Sequence, residues 1–346
     1  ILEDFPYKNS CCQDIQSSFD ELQCESIWKG GISANTNFSQ IIELSEFTRQ
    51  KNPDIIFAIG GKYAINITKF ISCTARFPKG TDIWKEIYIK GQYPEEYFPF
   101  GIISICPSCG EEWNSSFIIY NEQNHQKLIG GNDNTFPVFC LIDPLYIINI
   151  PNNTIRDILF ESFVKIIDQC LTPLQIQLMD NFFLFTMKEL VDISQVISTT
   201  NENKRLPLLE RLITASLFSN NFLFSLGKET CWGIHSIAFH LSSFYNISLV
   251  SALSIICPFF LENQFSKRIP ILAKAAEIIF DAHEGLDEIN ARIFIEKLRE
   301  FINFLKLPQK VSDIKIPKVV RNKEGEVIQN EIIYTDIIIN DNDLDS

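Results

Sequence analysis

Apolar positions fall into two rhythms along this chain. Over about the first 150 residues, short continuous apolar runs alternate with stretches of helical spacing. They read as a strand at Ile1–Glu3, a helix near 11–21, a strand near 24–28, a helix near 38–50, a strand at 54–59, a helix at 64–73, and strands at 101–106, 116–120 and 137–142. Strands without a polar face, alternating with helices, predict a parallel sheet covered on both sides. Asp143-Pro144 closes the last strand, and Pro151-Asn152-Asn153-Thr154 reads as a loop and helix cap. From 154 to about 305 the spacing is helical almost throughout, with Pro173, Pro207, Pro258 and Pro270 expected as punctuation. The expected organisation is an α/β domain at 1–150, an all-helical domain at 151–315, and an extension at 316–346. That extension turns to β-type composition around Glu324-Gly325 and ends in the acidic NDNDLDS. It reads either as a hairpin that adds to a sheet, a second copy or another protein, or as a loose tail.

Composition narrows the classes. With 346 residues, 46% of them hydrophobic, the chain can bury a sizeable core, and its length favours two domains. A formal net charge of −13 argues against nucleic acid as a partner, because phosphate binding needs clustered Lys and Arg. The greasy stretches 212–226 and 247–260 are interrupted by Ser, Asn or Pro short of the ~20 residues that span a bilayer, so buried helices and no membrane are expected. The ten cysteines are scattered through apolar segments, as expected for reduced thiols of a cytoplasmic protein, although a trimmed leader before Ile1 stays open. Cys106-Pro-Ser-Cys109 is a lone C-x-x-C with no second ligand pair for zinc.

The run DIIFAIGGKYAINITKF at 54–70 carries the most chemistry. An apolar strand meets a helix through Gly60-Gly61, and Lys69 follows on the helix. Glycines let a backbone approach a diphosphate, while free N–H groups and the helix dipole favour the anion. AIGGKYAINITK resembles the GGGS-x-x-D-x-x-K turn and helix of the iron-containing (group III) alcohol dehydrogenases, whose superfamily also holds glycerol dehydrogenase and dehydroquinate synthase. Further stretches extend the resemblance over roughly residues 1–315. ICPSCGEEWNSS is similar to a PTTAGTASE-like loop, PVFCLIDPLYIINIPNNTIRD to the strand and helix start that join the domains, and LFESFVKIIDQC to the helix bearing D-A-x-x-H-A-x-E. CWGIHSIAFHLSSFYNISLVSAL parallels the His-rich V-H-x-x-A-H-P-L-G segment, and FIEKLREFINFLKLPQKVSDI the late helix and the stretch after it. The resemblance implies a dehydroquinate synthase-like fold with an NAD(P) cofactor, a divalent metal (Fe or Zn), and a small alcohol, polyol or sugar in an interdomain cleft.

Carried over residue by residue, it puts the metal ligands at Glu161, Lys165, His235 and Leu249. Glu161 and His235 can ligate; an ammonium and an isobutyl group cannot. Lys165 reads in three ways: as an ion pair with Glu161 one turn earlier, as a cation that replaces the Lewis acid or shuttles a proton once burial lowers its pKa, or as the neighbour of a rebuilt site recruiting His240 or Asp168. Lys165 and His235 are the catalytic candidates. His240 follows Phe239, the position of a family His, and a one-residue offset turns a helical side chain by about 100°. His125 and His283 read as surface residues. On the cofactor side the resemblance retains Gly60, Gly61 and Lys69, with Lys62 for the third glycine and Asn66 for an Asp. Lys62 is suited to pairing with a diphosphate. Ser108 and Gly110 belong to the cofactor loop, where Glu111 and Glu112 repel phosphates unless turned to solvent. Lys29 stands where the family's Asp selects NAD over NADP, and reads either as a 2′-phosphate contact or as a solvated lysine. Three functions follow: an NAD(P)-dependent alcohol dehydrogenase-like enzyme with a largely lost metal site, a non-catalytic structural or regulatory subunit, or a metal-free enzyme acting on another small ligand.

Overall fold

In the computed structural model every residue is described except 5–7, 35, 125, 198, 201, 222–224, 246, 322–326 and 335–346, and for 8–10, 202, 203, 315–321 and 327–334 the description is of the backbone alone. Two compact units form: Ile1–Cys170 with Leu174–Thr230, and Leu171–Pro173 with Cys231–Ser346.

The first unit is built on a parallel sheet. Strands β1 (Ile56–Gly60), β2 (Phe100–Ser104) and β5 (Phe139–Ile142) lie side by side in that order. Parallel bridges Leu2↔Ile59 and Glu3↔Ile32 extend the sheet beyond β1. In chain order the positions therefore run 2-1-3-4-5 across the sheet, and the order reverses between Glu3 and β1. A doubly wound sheet opens its ligand crevice at such a reversal, outside the carboxyl ends of the strands. Helices α1 (Lys8–Glu21), α2 (Phe38–Lys51) and α3 (Lys62–Thr74) alternate with these strands. Asn37 opens α2 through a reciprocal capping box with Gln40, and Asn52 closes it in the left-handed conformation. Ala64, Ile65, Phe70 and Ile71 of α3 pack with Ile56, Ala58, Phe100 and Ile102 in one buried cluster.

Two expected strands differ. Residues 24–28 form none: Leu22 and Ile27 are exposed and the polar residues between them have no apolar face to bury. The strand expected at 116–120 exists as β3 (Phe117–Asn121), but it pairs antiparallel with β4 (Gln126–Gly130) and stays out of the parallel sheet. The connection between them is too short for a parallel crossover. Helices α4 (Asn152–Cys170), α5 (Gln177–Ile197) and α6 (Glu202–Phe218) complete the first unit, so the change of periodicity near 150 marks the end of the sheet while these three helices pack with it.

The second unit holds α7 (Gly233–Tyr245), α8 (Leu249–Asn263), α9 (Phe265–Phe280) and α10 (Asp287–Phe304), followed by the antiparallel hairpin β6 (Lys315–Arg321) and β7 (Val327–Tyr334). The Glu324-Gly325 turn and the acidic tail lie outside the described residues. Pro207, Pro258 and Pro270 sit inside α6, α8 and α9 rather than between helices. Each forfeits one backbone hydrogen bond, which the packing of residues such as Leu209, Leu253, Leu261 and Leu272 offsets. Among the described residues no single helix is long and apolar enough to cross a membrane.

Candidate functional site

The Gly60-Gly61 turn forms as expected at the carboxyl end of β1, and an anion sits on it: the side chain of Glu3. The N–H groups of Gly61 and Ala64 donate to Glu3 Oε2 at 2.9 and 3.0 Å. Glycine at 60 makes this possible, since a Cβ there would lie 2.4 Å from the Glu3 Cβ, and its φ of +153° is one that L side chains rarely adopt. Gly61 faces Cys106, whose Cβ would be 3.1 Å from an added methyl. Burial pushes the Glu3 carboxyl above its usual range, opposed by the amides of α3 and by Lys62.

Next to this turn lies a network of three lysines and three glutamates, all buried except the partly exposed Lys62. Lys62 Nζ donates to Glu161 Oε2 at 2.9 Å, and Lys165 Nζ donates to Glu111 Oε1 at 2.6 Å and to the Cys109 carbonyl at 3.0 Å. Lys165 thus pairs across elements with Glu111 and not along its own helix with Glu161. Burial alone would lower the Lys165 ammonium, as one sequence reading required, but Glu111, Glu161 and Cys109 outweigh it and hold Lys165 above its ordinary value. Lys62 behaves likewise: burial pulls it down, and Glu161 raises it well above the usual lysine range. Lys62, suited in sequence to pairing with a diphosphate, pairs here with Glu161.

Lys69 is fully buried, and its ammonium donates to the Glu111 carbonyl at 2.6 Å and to Asn114 Oδ1 and the Ser116 carbonyl at 2.9 Å each. With only oxygen dipoles in contact, desolvation dominates and lowers it to about 8. Three donors and three acceptors make it a clamp between α3 and the loop after β2. That loop owes its path to two residues in the left-handed region, Cys109 (φ 54°) and Gly110 (φ 84°). The Cys109 N–H is held by Ser216 Oγ at 3.0 Å, and a Cβ on Gly110 would lie 2.8 Å from Asn220. The loop neither repels from the surface nor turns its carboxylates to solvent: Glu111 and Glu112 both point inward. Glu112 Oε1 accepts from the Ser108 N–H at 2.8 Å and the Ser104 hydroxyl at 3.1 Å, and burial raises its pKa. Ser108 Oγ donates to the Cys106 carbonyl. Oε2 of Glu111 and Oε2 of Glu112 are buried with no hydrogen-bond partner among the described residues.

The other candidates have contacts of their own. The Lys29 ammonium stands 3.9 Å above the Phe47 ring. Asn66 bridges the Lys62 carbonyl and the Ile118 N–H. His235 belongs to the second unit, where it is buried edge-on to Trp232 and Phe239. Leu249 opens α8. His240 is exposed with Nδ1 2.7 Å from the Ser236 carbonyl, and His283 is exposed beside Asp281. His125 lies outside the described residues. All ten cysteines are free thiols. Among the described residues no group of three or more His, Cys, Asp or Glu side chains converges as a metal site. Sequence reading missed Glu3, Ser104 and Asn114. Glu3 had one signal, a carboxylate at the end of the first apolar run, which acquires meaning only with the strand order.

The sequence profile for "Iron-containing alcohol dehydrogenase" matches residues 1–144. The NADPH-dependent aldehyde reductase YqhD of Escherichia coli is 23% identical over 286 residues, covering 82% of this chain and 73% of the relative. Residues 1–144 thus resemble the iron-containing alcohol dehydrogenases in sequence. A second relative, the probable NADH-dependent butanol dehydrogenase 1 of Bacillus subtilis, is 25% identical over 295 residues, 83% of this chain and 73% of the relative. The crystal structure of NADH-dependent butanol dehydrogenase A from Thermotoga maritima superposes with a TM-score of 0.82 at 19% identity, over 90% of this chain and 78% of that one. The parallel sheet with helices and the helical C-terminal part are the iron-containing alcohol dehydrogenase fold. Within that fold, the four residues that the resemblance assigns to the metal are Glu161, paired with Lys62, and Lys165, paired with Glu111, both on α4, and His235 and Leu249 in the other unit.

Proposed function

We propose that this chain is a derived alcohol dehydrogenase-like protein that has given up metal-dependent interconversion of alcohols and aldehydes and keeps the fold as a binding or regulatory subunit. The observation that carries the reading is the Lys165 ammonium, fixed by Glu111 Oε1 and the Cys109 carbonyl at a position assigned to a metal ligand. A divalent cation about 4 Å from that ammonium would be opposed by roughly 8 kcal/mol even at an effective dielectric of about 20. Glu161, the oxygen donor on the same helix, is already compensated by Lys62 at 2.9 Å. The residues present on α4 therefore do not fit a divalent metal. Nor does Lys165 suit proton transfer, since its pKa is raised rather than brought toward neutrality.

The relatives are named for NADH or NADPH, and this chain keeps the strand, glycine turn and helix that in such folds face a nucleotide, so a nicotinamide or related nucleotide is the ligand class with precedent. The test is elemental analysis of protein purified without chelators, together with NADH- and NADPH-linked assays on butanol and butanal. Metal well below one equivalent and no turnover are expected. Stoichiometric iron or zinc with turnover would overturn the proposal.

A further inference from the structure

We infer that Glu3 is a built-in occupant of the anion seat at the start of α3, so that a ligand diphosphate and the Glu3 carboxylate exclude one another there. Four observations converge. The seat lies where the sheet order reverses, the place at which a doubly wound sheet receives its ligand. The donors a phosphate would take, the N–H groups of Gly61 and Ala64, both point at one oxygen of Glu3, 2.9 and 3.0 Å away. The missing side chain at Gly60 is accounted for by Glu3 itself, whose Cβ lies 2.4 Å from where a methyl would stand, so the glycine serves the approach of this residue and not only that of a ligand. Finally, the two lysines of α3 that could hold a second anion are committed: Lys62 to Glu161, and Lys69 to three oxygens in the core.

Entry of a diphosphate therefore requires Glu3 to leave, and α3 supplies no uncommitted ammonium to offset that departure. The inference goes beyond the loss of metal chemistry and can fail independently of it, since metal content decides one and anion binding the other.

The experiment titrates the full chain with inorganic pyrophosphate, and separately with NADPH, by isothermal calorimetry. Wild type is compared with Glu3→Ala, which empties the seat, and Glu3→Gln, which keeps the volume and removes the charge. Wild type is expected to show no saturable pyrophosphate binding, and Glu3→Ala to bind at least about tenfold more tightly, with Glu3→Gln between them. Pyrophosphate binding to wild type as tight as to Glu3→Ala overturns the inference, as does a Glu3→Ala protein with wild-type circular dichroism and no gain. If Glu3→Ala does not fold, Glu3→Gln decides by the same comparison. If neither folds, hydrogen exchange of the wild-type Gly61 and Ala64 amides decides: rates unchanged by pyrophosphate support the inference, and slowed rates overturn it.

Discussion

Replacing Lys165 by Met should be among the most damaging single changes in the first unit. The Lys165 and Glu111 side chains are 4% and 5% exposed and 2.6 Å apart. Removing the ammonium leaves the Glu111 carboxylate buried without its ion-pair partner, and its Oε2 already lacks a hydrogen-bond partner among the described residues. Breaking a buried pair from one side costs about 3–5 kcal/mol, because the surviving charge keeps its desolvation penalty and loses its compensation. For a unit of this size that lowers Tm by roughly 6–20 °C. Removing both charges, as in Lys165→Met with Glu111→Leu, takes away the penalty too. The Glu111 carbonyl still accepts from Lys69, so the double variant should recover about 2–4 kcal/mol of the single variant's loss.

The assay is equilibrium urea unfolding in a Trp232→Phe background, where the remaining tryptophans, Trp28, Trp84 and Trp113, all report the first unit. Lys188→Ala serves as an internal control. Its pair with Asp192 in the same unit is 40% and 49% exposed, and exposed pairs contribute only about 0–1 kcal/mol. The pH dependence adds a second readout. Lys165 is raised above its ordinary 10.5, so the native state holds its proton more tightly than the unfolded chain. Its contribution is fully present below that pH and is lost as pH rises through the native value. The deficit of Lys165→Met should stay constant from neutrality to about 10.5 and shrink beyond. A single-variant cost under about 1 kcal/mol, or strict additivity in the cycle, would refute the buried-pair argument.

Two further outcomes are expected. Lys69 lies at about 8 against an ordinary 10.5, so between those values the unfolded chain binds more protons and stability should rise with pH, by at most roughly 3 kcal/mol; Lys69→Met should flatten that rise in denaturation at pH 8 and pH 10, although part will persist through Lys127, which burial also lowers to about 8. An unchanged slope would show that Lys69 is not desolvated as described. Gly60→Ala should destabilise by at least about 2 kcal/mol, because the added methyl meets the Glu3 Cβ in a backbone region closed to L side chains, and a thermal melt within a degree of wild type would count against the Glu3 placement.

What the sequence discloses here is governed by range. The strands at 56–60, 100–104 and 139–142 and the helices from 38 to 304 are legible because apolar spacing, glycine turns and caps act over a few residues. Charge pairing in the core is not so limited. Lys165 and Glu161 sit one turn apart, and such a pair contributes only a few tenths of a kcal/mol on an exposed helix. Burial changes the ranking. An ammonium 4% exposed needs a carboxylate in near-contact and a second acceptor. The loop turned by Cys109 and Gly110 delivers both, 54 and 56 residues away in sequence. That leaves Glu161 to Lys62, 99 residues distant. Each pairing makes the other possible: with Lys62 elsewhere, Glu161 would compete for Lys165 and Glu111 would be stranded. The same holds for Glu3, whose carboxylate reaches α3 only because the sheet places the first apolar run beside β1. The charges at 62, 111, 161 and 165 are therefore best understood as one network, in which residues from three elements compensate each other. A chain neutralised at only one of these positions would carry an unpaired buried charge, so variants that neutralise one partner should be less stable than variants that neutralise both members of a pair.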